Sequence, residues 1–327
     1  MPRWPRSTAS ARHSRSRFAV KPVVVDAHSH LFPREWASSG HMPADMFDVE
    51  GLLERQAAAS VATSVVSDPH IWYGELDPSD IARAREYNNF AAELSRAHAP
   101  HLVGLGSVTP WRGQDHIDEA ARAISELGLS GLALPTSDRG LYLDEIPEAF
   151  WELVEGLGVP VFIHPGGSVI GQELMAMYRL GEVCGRPLDT TVTLARFILT
   201  GSMERHRDVR MLCAHAGGAI CAIADRLDFG HELRAYAPLG PWGDVELPDP
   251  PSSYVARLHL DTVTYGTAAL RPALERVGSE RVLYGSDRPP VPFDLERTIG
   301  YVRELGLPAE QEAAILGANA RRLFGIA

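Results

Sequence analysis

The feature that most constrains the fold of this 327-residue chain is a regular alternation of short apolar runs with longer amphipathic stretches. Runs this apolar are typical of strands in a parallel sheet whose two faces are covered by helices. Eight such units predict an α/β fold, a single-domain (β/α)8 TIM barrel of about 250 residues plus insertions. The runs are VVVDAH (23–28), TSVVSD (63–68), HLVGLGSV (101–108), GLALPT (131–136), VPVFIHP (159–165), VRMLCAH (209–215), LHLDTV (258–263) and RVLYGSD (281–287).

A doubly wound open sheet is the alternative fold for alternating strands and helices. The GxGxxG pattern that usually follows the first strand of such folds is missing after residues 23–28. Two connections, 166–189 and 228–256, are longer than ordinary barrel turns. Long connections usually act as lids or binding loops, so we expect loop insertions over the carboxyl-terminal face of the barrel, with an oligomer contact as the alternative.

Charge is unevenly distributed along the chain. Residues 1–21 hold six basic residues and no acidic one, and the net charge of −11 therefore leaves −17 for residues 22–327. We expect a disordered basic extension at 1–21, or alternatively a targeting segment, before one domain at 22–327. A domain this acidic would repel nucleic acid, and no apolar run reaches the roughly 18 residues of a membrane span. We therefore expect a cytoplasmic protein without nucleic-acid or membrane partners.

The residue types that are scarce exclude several chemistries. Lys21 is the only lysine and precedes the barrel, so a lysine Schiff base, a P-loop lysine and a carboxylated lysine bridging two metals are excluded. Arginine cannot replace lysine in these roles because it does not deprotonate in proteins. Three scattered cysteines, Cys184, Cys213 and Cys221, form neither a disulfide framework nor a cysteine-rich zinc module.

Residues that can bind metals stand at the ends of the predicted strands. His28 and His30 close the first run, and their spacing of two places them on one face of an extended segment. His164, His215 and Asp287 lie at the ends of the fifth, sixth and eighth runs. Barrel active sites are built at the carboxyl ends of the strands. Three of these four imidazoles meeting there with the carboxylate predict a site for a divalent transition metal such as zinc.

The same segments resemble the amidohydrolase superfamily. The ordered motifs are DAHSHLFP (26–33), FIHPGG (162–167), CAHAGG (213–218), LYGSDRP (283–289) and ILGANARRLFG (315–325). Within the superfamily the chain is similar to the amidohydrolase-2 branch, the branch of aminocarboxymuconate-semialdehyde decarboxylase and γ-resorcylate decarboxylase. The resemblance covers about residues 22–326.

This resemblance implies a barrel with one divalent metal, zinc first and manganese as the alternative. The implied ligands are His28, His30, His164 and Asp287, with His215 as an acid/base beside the metal and Asp287 also taking part in catalysis. Superfamily members with two metals bridge them with a carboxylated lysine after strand four, where this chain reads GLALPT. The branch also implies a homodimer.

Substrate-binding residues are predicted from their positions near the strand ends. Arg288 follows Asp287 and could hold a substrate carboxylate bidentately, or could form a salt bridge to a loop acid. Trp72 and Trp111 could stack on a substrate ring or could cap the barrel core. Asp261 is expected to form structural hydrogen bonds. The segment SSGHMPADMF (38–47) lacks the arginine with which the aminocarboxymuconate enzymes hold a carboxylate, which argues against that particular substrate.

Two reactions are open to such a site. The branch favours metal-dependent non-oxidative decarboxylation of a small aromatic or unsaturated carboxylic acid, a carboxy-lyase reaction. The alternative is hydrolysis or hydration of an ester, lactone, amide or activated alkene by metal-bound hydroxide, because the same ligands serve both. A barrel recruited as a non-catalytic binding protein is the third alternative, and the intact ligand set argues against it.

Overall fold

The structure is a computed structural model that describes residues 22–39, 43–68, 81–167, 169–236 and 245–327. It contains eight short parallel barrel strands, and each of them overlaps one of the eight predicted runs. The strands are β1 Val24–His30, β2 Val61–Ser67, β3 Leu102–Gly104 (continued by Gly106–Ser107), β4 Leu132–Pro135, β5 Pro160–His164, β6 Arg210–Cys213, β7 His259–Asp261 and β8 Val282–Leu283. A small antiparallel hairpin pairs Ser137–Asp138 with Leu141–Tyr142.

Helices follow the strands and cover the outside of the sheet. The α-helices are α1 Val49–Ala59, α2 Ile81–Ala97, α3 Gln114–Ser125, α4 Glu148–Leu157, α5 Arg186–Leu199, α6 Ser202–Arg205, α7 Ile220–Leu233, α8 Pro251–Val255, α9 Thr267–Val277, α10 Leu295–Glu304, α11 Ala309–Ala313 and α12 Asn319–Phe324. Short 3-10 helices lie at Arg34–Ser39, Ala44–Phe47, Pro110–Arg112, Leu143–Glu145, Gln172–Leu174, His215–Gly217 and Ser279–Arg281. Single π-helical turns lie at Gly181–Gly185 and Ala314–Ala318.

Hydrogen bonds connect the strands around a ring. Regular parallel pairing forms two sheets. The first contains β1, β2 and the Leu102–Gly104 part of β3. The second begins with Gly106–Ser107 and continues in order with β4, β5, β6, β7 and β8. At the first junction the Leu105 N–H donates to the Val66 carbonyl (2.9 Å), and at the second the Ala27 N–H donates to the Tyr284 carbonyl (2.8 Å). The last strand therefore returns to the first, which confirms the barrel and excludes the open sheet.

A packed interior closes the amino-terminal end of the barrel. The inner core consists of small and branched side chains from the strands together with residues of α12, and its members are Val25, Ala27, Val65, Leu105, Ala133, Phe162, Leu212, Ala214, Leu283, Ala320, Leu323 and Phe324. The closing motif ILGANARRLFG thus seals one end of the barrel. Polar side chains lie at the opposite, carboxyl-terminal end of the barrel, where the active sites of barrel enzymes are found.

A β-bulge in β1 decides which of its residues face inward. Asp26 pairs with Ser64 and Ser29 with Val66, so three steps on β1 correspond to two on β2. Such an extra residue shifts the alternation of side chains between the two faces of a strand. The inner core accordingly contains residue 27, while the ring of His28 also points inward and lies 4.9 Å from that of Phe162.

The two long insertions lie at different ends of the barrel. The segment 166–189 follows β5, and its last part leads into α5 beside the carboxyl ends of the strands. The described part of 228–256 packs at the other end, where the Tyr254 hydroxyl donates to Glu204 of α6 (2.8 Å). Among the helices of the described ranges, none combines the length and the apolar composition that a membrane span requires. The predicted extension 1–21 lies outside the described residues.

Candidate metal centre

Four buried side chains converge at the carboxyl ends of the strands. His28 and His30 end β1, His164 ends β5 and Asp287 follows β8, and their ligand atoms all lie within 4.8 Å of one another. The Nε2 atoms of His28 and His30 are 3.0 Å apart, and each lies 3.2 Å from Oδ1 of Asp287. The barrel therefore brings together the four residues expected as ligands, close enough to surround one ion.

The second ring nitrogen of each histidine is hydrogen-bonded, and these bonds orient the rings. The contacts are His28 Nδ1 to Asp261 Oδ2 (2.6 Å), His30 Nδ1 to the Ser67 carbonyl (3.1 Å) and His164 Nδ1 to the Pro165 carbonyl (2.9 Å). Each Nε2 is thereby left to face the centre, as in histidines that ligate metals. Nε2 of His164 is buried and has no hydrogen-bond partner among the described residues, so a metal ion fits this set of donors.

The electrostatics of the cluster also favour a bound cation. Burial holds the pKa of His164 well below its usual range and lowers that of His30, so both rings are neutral and can ligate a metal. Burial opposes charge on His28 as well, but Asp287 and Asp261 raise its pKa to about 10. Burial raises the pKa of Asp287, yet the neighbouring histidines hold it well below its usual range. The carboxylates thus attract positive charge to the centre, which a divalent metal supplies.

The two oxygens of Asp287 face different neighbours. Oδ1 lies against the histidines of β1, whereas Oδ2 is 3.5 Å from Nε2 of His215 and accepts a hydrogen bond from the Tyr265 hydroxyl (3.2 Å). His215, Tyr265 and Asp287 all have left-handed backbones, with φ between 56° and 57°. Such conformations cost about 1–3 kcal/mol each and concentrate at functional sites. His215 therefore lies beside the four-residue cluster, at the position expected for an acid/base.

A cavity of about 670 Å³ adjoins the cluster. Its apolar wall includes Val263, Val291 and Phe293, and its polar lining includes Arg179, Glu182, Arg186, His215, Tyr265, Asp287 and Arg297. An apolar cavity with a few convergent polar groups is typical of a small-molecule site. Sequence analysis missed Arg186 and Tyr265. The only sequence signals for them are the length of the insertion that holds Arg186 and the proximity of Tyr265 to the end of strand seven.

Arg288, predicted to contact the substrate, makes contacts within the chain in this structure. Its guanidinium donates to the Phe293 carbonyl (2.9 Å) and lies 3.6 Å from the Asp45 carboxylate. The contact with Asp45 corresponds to the alternative prediction, a salt bridge to a loop acid. The His30 N–H donates to the Arg288 carbonyl (2.7 Å), so Arg288 continues the strand contact with β1. Arg288 is not among the described residues that line the cavity, whereas Asp287 is.

Trp111, the second predicted substrate contact that the structure describes, also makes contacts within the chain. Its indole N–H donates to the Tyr142 carbonyl (2.9 Å), and its ring packs against the core between the sheet and the helices. It is not among the described residues that line the cavity, so the core-capping alternative applies. Trp72 lies outside the described residues. Asp261 has the hydrogen-bonding role that its position predicts, because it also accepts from the backbone N–H groups of Ala216 and Val263 (2.9 and 3.0 Å).

Comparison with known proteins agrees with this geometry. The family model described as Amidohydrolase (Amidohydro_2) matches residues 25–326. The chain belongs to this amidohydrolase family. A curated relative, 2-amino-3-carboxymuconate-6-semialdehyde decarboxylase of Dictyostelium discoideum, is 24% identical over 94% of the chain and 92% of its own length.

Solved structures of amidohydrolase relatives show the same fold. The 5-carboxyvanillate decarboxylase of Sphingomonas paucimobilis matches with a TM-score of 0.80 at 22% identity, over 93% of this chain and 99% of its own. A dihydroxybenzoic acid decarboxylase of Polaromonas sp., solved with manganese and the inhibitor 2-nitroresorcinol, matches with a TM-score of 0.78 at 19% identity, over 93% and 97% of the two chains. The expected superfamily and its branch are thereby confirmed.

Proposed function

We propose that this amidohydrolase is a metal-dependent non-oxidative decarboxylase that acts on a small aromatic carboxylic acid. The observation that carries the proposal is the cluster of His28, His30, His164 and Asp287, which opens beside His215 onto a partly apolar cavity. The cavity offers an aromatic ring a wall that includes Phe293, and offers a carboxylate nearby arginines beside the residues that would hold a metal. The decarboxylases named among its relatives support the same reaction class.

The chain's own residues supply what decarboxylation requires. A divalent metal in this centre would act as a Lewis acid that holds substrate oxygen atoms. The bond between the ring carbon and the carboxylate carbon breaks, CO2 leaves, and a proton takes its place on the ring carbon. His215 and Asp287 are the titratable pair that faces both the ligand cluster and the cavity. We assign proton delivery to this pair, with His215 able to pass a proton to Oδ2 of Asp287.

The identity of the metal is a finer proposal. Three imidazoles and one carboxylate suit zinc, whereas the Polaromonas relative was solved with manganese. We propose one divalent ion per chain, with zinc as the ion predicted by the donor set and manganese as its competitor. Elemental analysis of the purified protein should give about one metal per chain, and two tightly bound metals would contradict the proposal.

The reaction is tested with a panel of candidate substrates. The metal-loaded protein is incubated with 2,6-dihydroxybenzoate, salicylate and 5-carboxyvanillate, and released CO2 and the decarboxylated phenol are quantified together. We expect equimolar CO2 and phenol from at least one acid, and none from the Asp287→Asn variant. Phenyl acetate and an aryl lactone are tested in parallel, since their turnover in the absence of any CO2 release would instead establish the hydrolase alternative.

Assembly and location are further predictions of the sequence. A homodimer is expected from the branch, and light scattering of the purified protein measures the number of chains per particle. The expected cytoplasmic location is tested by cell fractionation. The extension 1–21 is expected to be disordered, and its removal should leave metal content unchanged.

A further inference from the structure

Among the described residues that line the cavity, Arg186 is the arginine without a hydrogen-bonded or ion-paired partner in the protein. It begins α5 and lines the cavity together with His215 and Asp287. Within the described part of the chain, its guanidinium makes neither a hydrogen bond nor an ion pair. The other two arginines of the lining are engaged. Arg179 pairs with Glu182 (3.4 Å), and Arg297 lies over the ring of Phe293 at 3.8 Å from its centre.

The environment of Arg186 favours an anionic ligand. Burial lowers the pKa of this guanidinium, and the raising effects of Asp287 and Glu182 are smaller. Arginine nevertheless keeps its charge in proteins. The side chain has therefore lost part of its hydration without gaining an equivalent partner, which is unfavourable for a charged group. A carboxylate in the cavity would provide that partner.

The position of Arg186 is determined by close backbone packing. Gly218, in the CAHAGG motif, has φ +66°, and a Cβ atom there would collide with the carbonyl oxygen of Pro187. The next residue, Ala219, donates its N–H to the hydroxyl of Thr191 in α5 (2.8 Å). The first turn of α5 thus packs directly on the turn that follows His215. Arg186 is held at the cavity by this contact between two elements.

We propose that Arg186 binds a second anionic group of the substrate. The substrate would then be a dianion with an apolar body, carrying one carboxylate for the metal centre and a second carboxylate for the Arg186 guanidinium. The planar fork of arginine matches the two oxygens of a carboxylate. This inference rests on the proposed function and deepens it, because it names dicarboxylates as the preferred substrate class.

The inference is tested by calorimetric titration of the metal-loaded protein with unreactive probes. Benzoate carries one carboxylate, and isophthalate and terephthalate carry a second at different spacings. We expect the wild type to bind at least one dicarboxylate about 10- to 100-fold more tightly than benzoate, as a charge-assisted hydrogen bond would give. Arg186→Met should abolish this preference, and Arg186→Lys should restore part of it. Arg303→Met, at an exposed arginine of α10 that is not among the described lining residues, is the control, in which the preference should persist.

The outcomes separate this inference from the proposed function. Equal binding of the three probes to the wild type, or a preference that survives in Arg186→Met, would overturn the anchor. Metal content and circular dichroism verify that each variant is folded, and Arg186→Gln replaces Arg186→Met if the latter does not fold. An Arg186-dependent preference without CO2 release from any acid would refute decarboxylation and keep the anion site. CO2 release without the preference would refute only the anion site.

Discussion

At the scale of single residues, Asp287 connects two parts of the site. One of its oxygens faces the ligand histidines, and the other faces His215 and Tyr265. A proton on His215 is therefore one contact away from a carboxylate that is also an expected ligand. Substitutions can test whether the expected ligands and the expected acid/base are separate residues.

Two histidine substitutions should separate these roles. His215→Asn should keep the metal and lower kcat by about 10²- to 10⁴-fold, because the amide cannot carry a proton at neutral pH. His164→Asn should lose metal together with activity, since it removes an expected ligand. Elemental analysis and single-turnover kinetics of both variants measure these effects. Metal loss in His215→Asn with retention in His164→Asn would show that the two assignments are exchanged.

The hydrogen bond behind His28 should control metal affinity. In Asp261→Asn, the remaining oxygen can still accept from the Ala216 and Val263 N–H groups, but an NH₂ group now faces Nδ1 of His28. This NH₂ group cannot accept a hydrogen bond from Nδ1–H, so the His28 tautomer with its proton on Nδ1 and a free Nε2 is no longer favoured. Metal affinity should therefore fall about 10- to 100-fold. The measurement is metal occupancy in buffers of defined free metal. Asp189→Asn, a buried carboxylate outside this cluster, is the control and should leave the affinity unchanged.

At the scale of elements, the turn after β6 and the start of α5 form the contact that places Arg186. The turn contains the left-handed residues His215 and Ala216, followed by Gly217 and Gly218. Gly285 has a related role in the LYGSD motif, because a Cβ there would lie 2.8 Å from Cβ of His28. The glycines of these motifs therefore allow close approach between neighbouring elements.

A pair of glycine substitutions should test the contribution of that contact. Gly158 and Gly218 both have positive φ, +63° and +66°, but Gly158 is in the left-handed helical region with no neighbouring atom within 4 Å of a Cβ, whereas Gly218 has ψ −122° and faces neighbouring atoms. Gly158→Ala should therefore show only the conformational cost of about 1 kcal/mol. Gly218→Ala should destabilise the protein by a further 1–3 kcal/mol or so, and should also weaken dicarboxylate binding by displacing α5. Urea unfolding and calorimetry measure both quantities, and equal effects of the two substitutions would contradict the packing role.

At the scale of the whole molecule, a buried histidine far from the candidate metal centre should make stability depend on pH. The candidate centre lies at the carboxyl end of the barrel, whereas His259 at the start of β7 lies near the opposite end. Burial, followed by the nearby positive charge of Arg281 and Arg210, lowers the pKa of His259 from its ordinary 6.5 to about 4. The folded protein keeps this ring neutral at pH values at which the unfolded chain binds a proton.

Stability should therefore fall on acidification between about pH 6.5 and pH 4. In this range the unfolded state binds more protons than the folded state, so the free energy of unfolding decreases as the pH falls. In His259→Gln, the decrease in the free energy of unfolding on acidification should be smaller by about 1–3 kcal/mol. This figure is below the full effect of the pKa shift because the ring is only partly buried. Urea unfolding at pH 7 and pH 4.5 measures the difference. The exposed His101→Gln variant is the control, and an acid sensitivity identical to wild type in His259→Gln would refute the prediction.

The sequence by itself determined the barrel and the residues at its mouth. Strand patterns are local, since an apolar run and the polar residue that ends it are read from neighbouring positions. A parallel barrel then brings all carboxyl strand ends to one face, so His28, His30, His164 and Asp287 could be predicted to converge from positions more than 250 residues apart. The motifs identified the family for the same reason.

Only the tertiary structure decided which side chains enter the cavity. Arg288 and Trp111 had the right residue types and adjacent positions, yet Arg288 lies 3.6 Å from the Asp45 carboxylate and Trp111 donates to the Tyr142 carbonyl. Arg186 lies in an insertion without a recognisable motif, and reaches the cavity because α5 packs on Gly218. The direction of a loop side chain depends on contacts between segments distant in sequence. No local pattern encodes those contacts, whereas the ends of the strands are encoded locally.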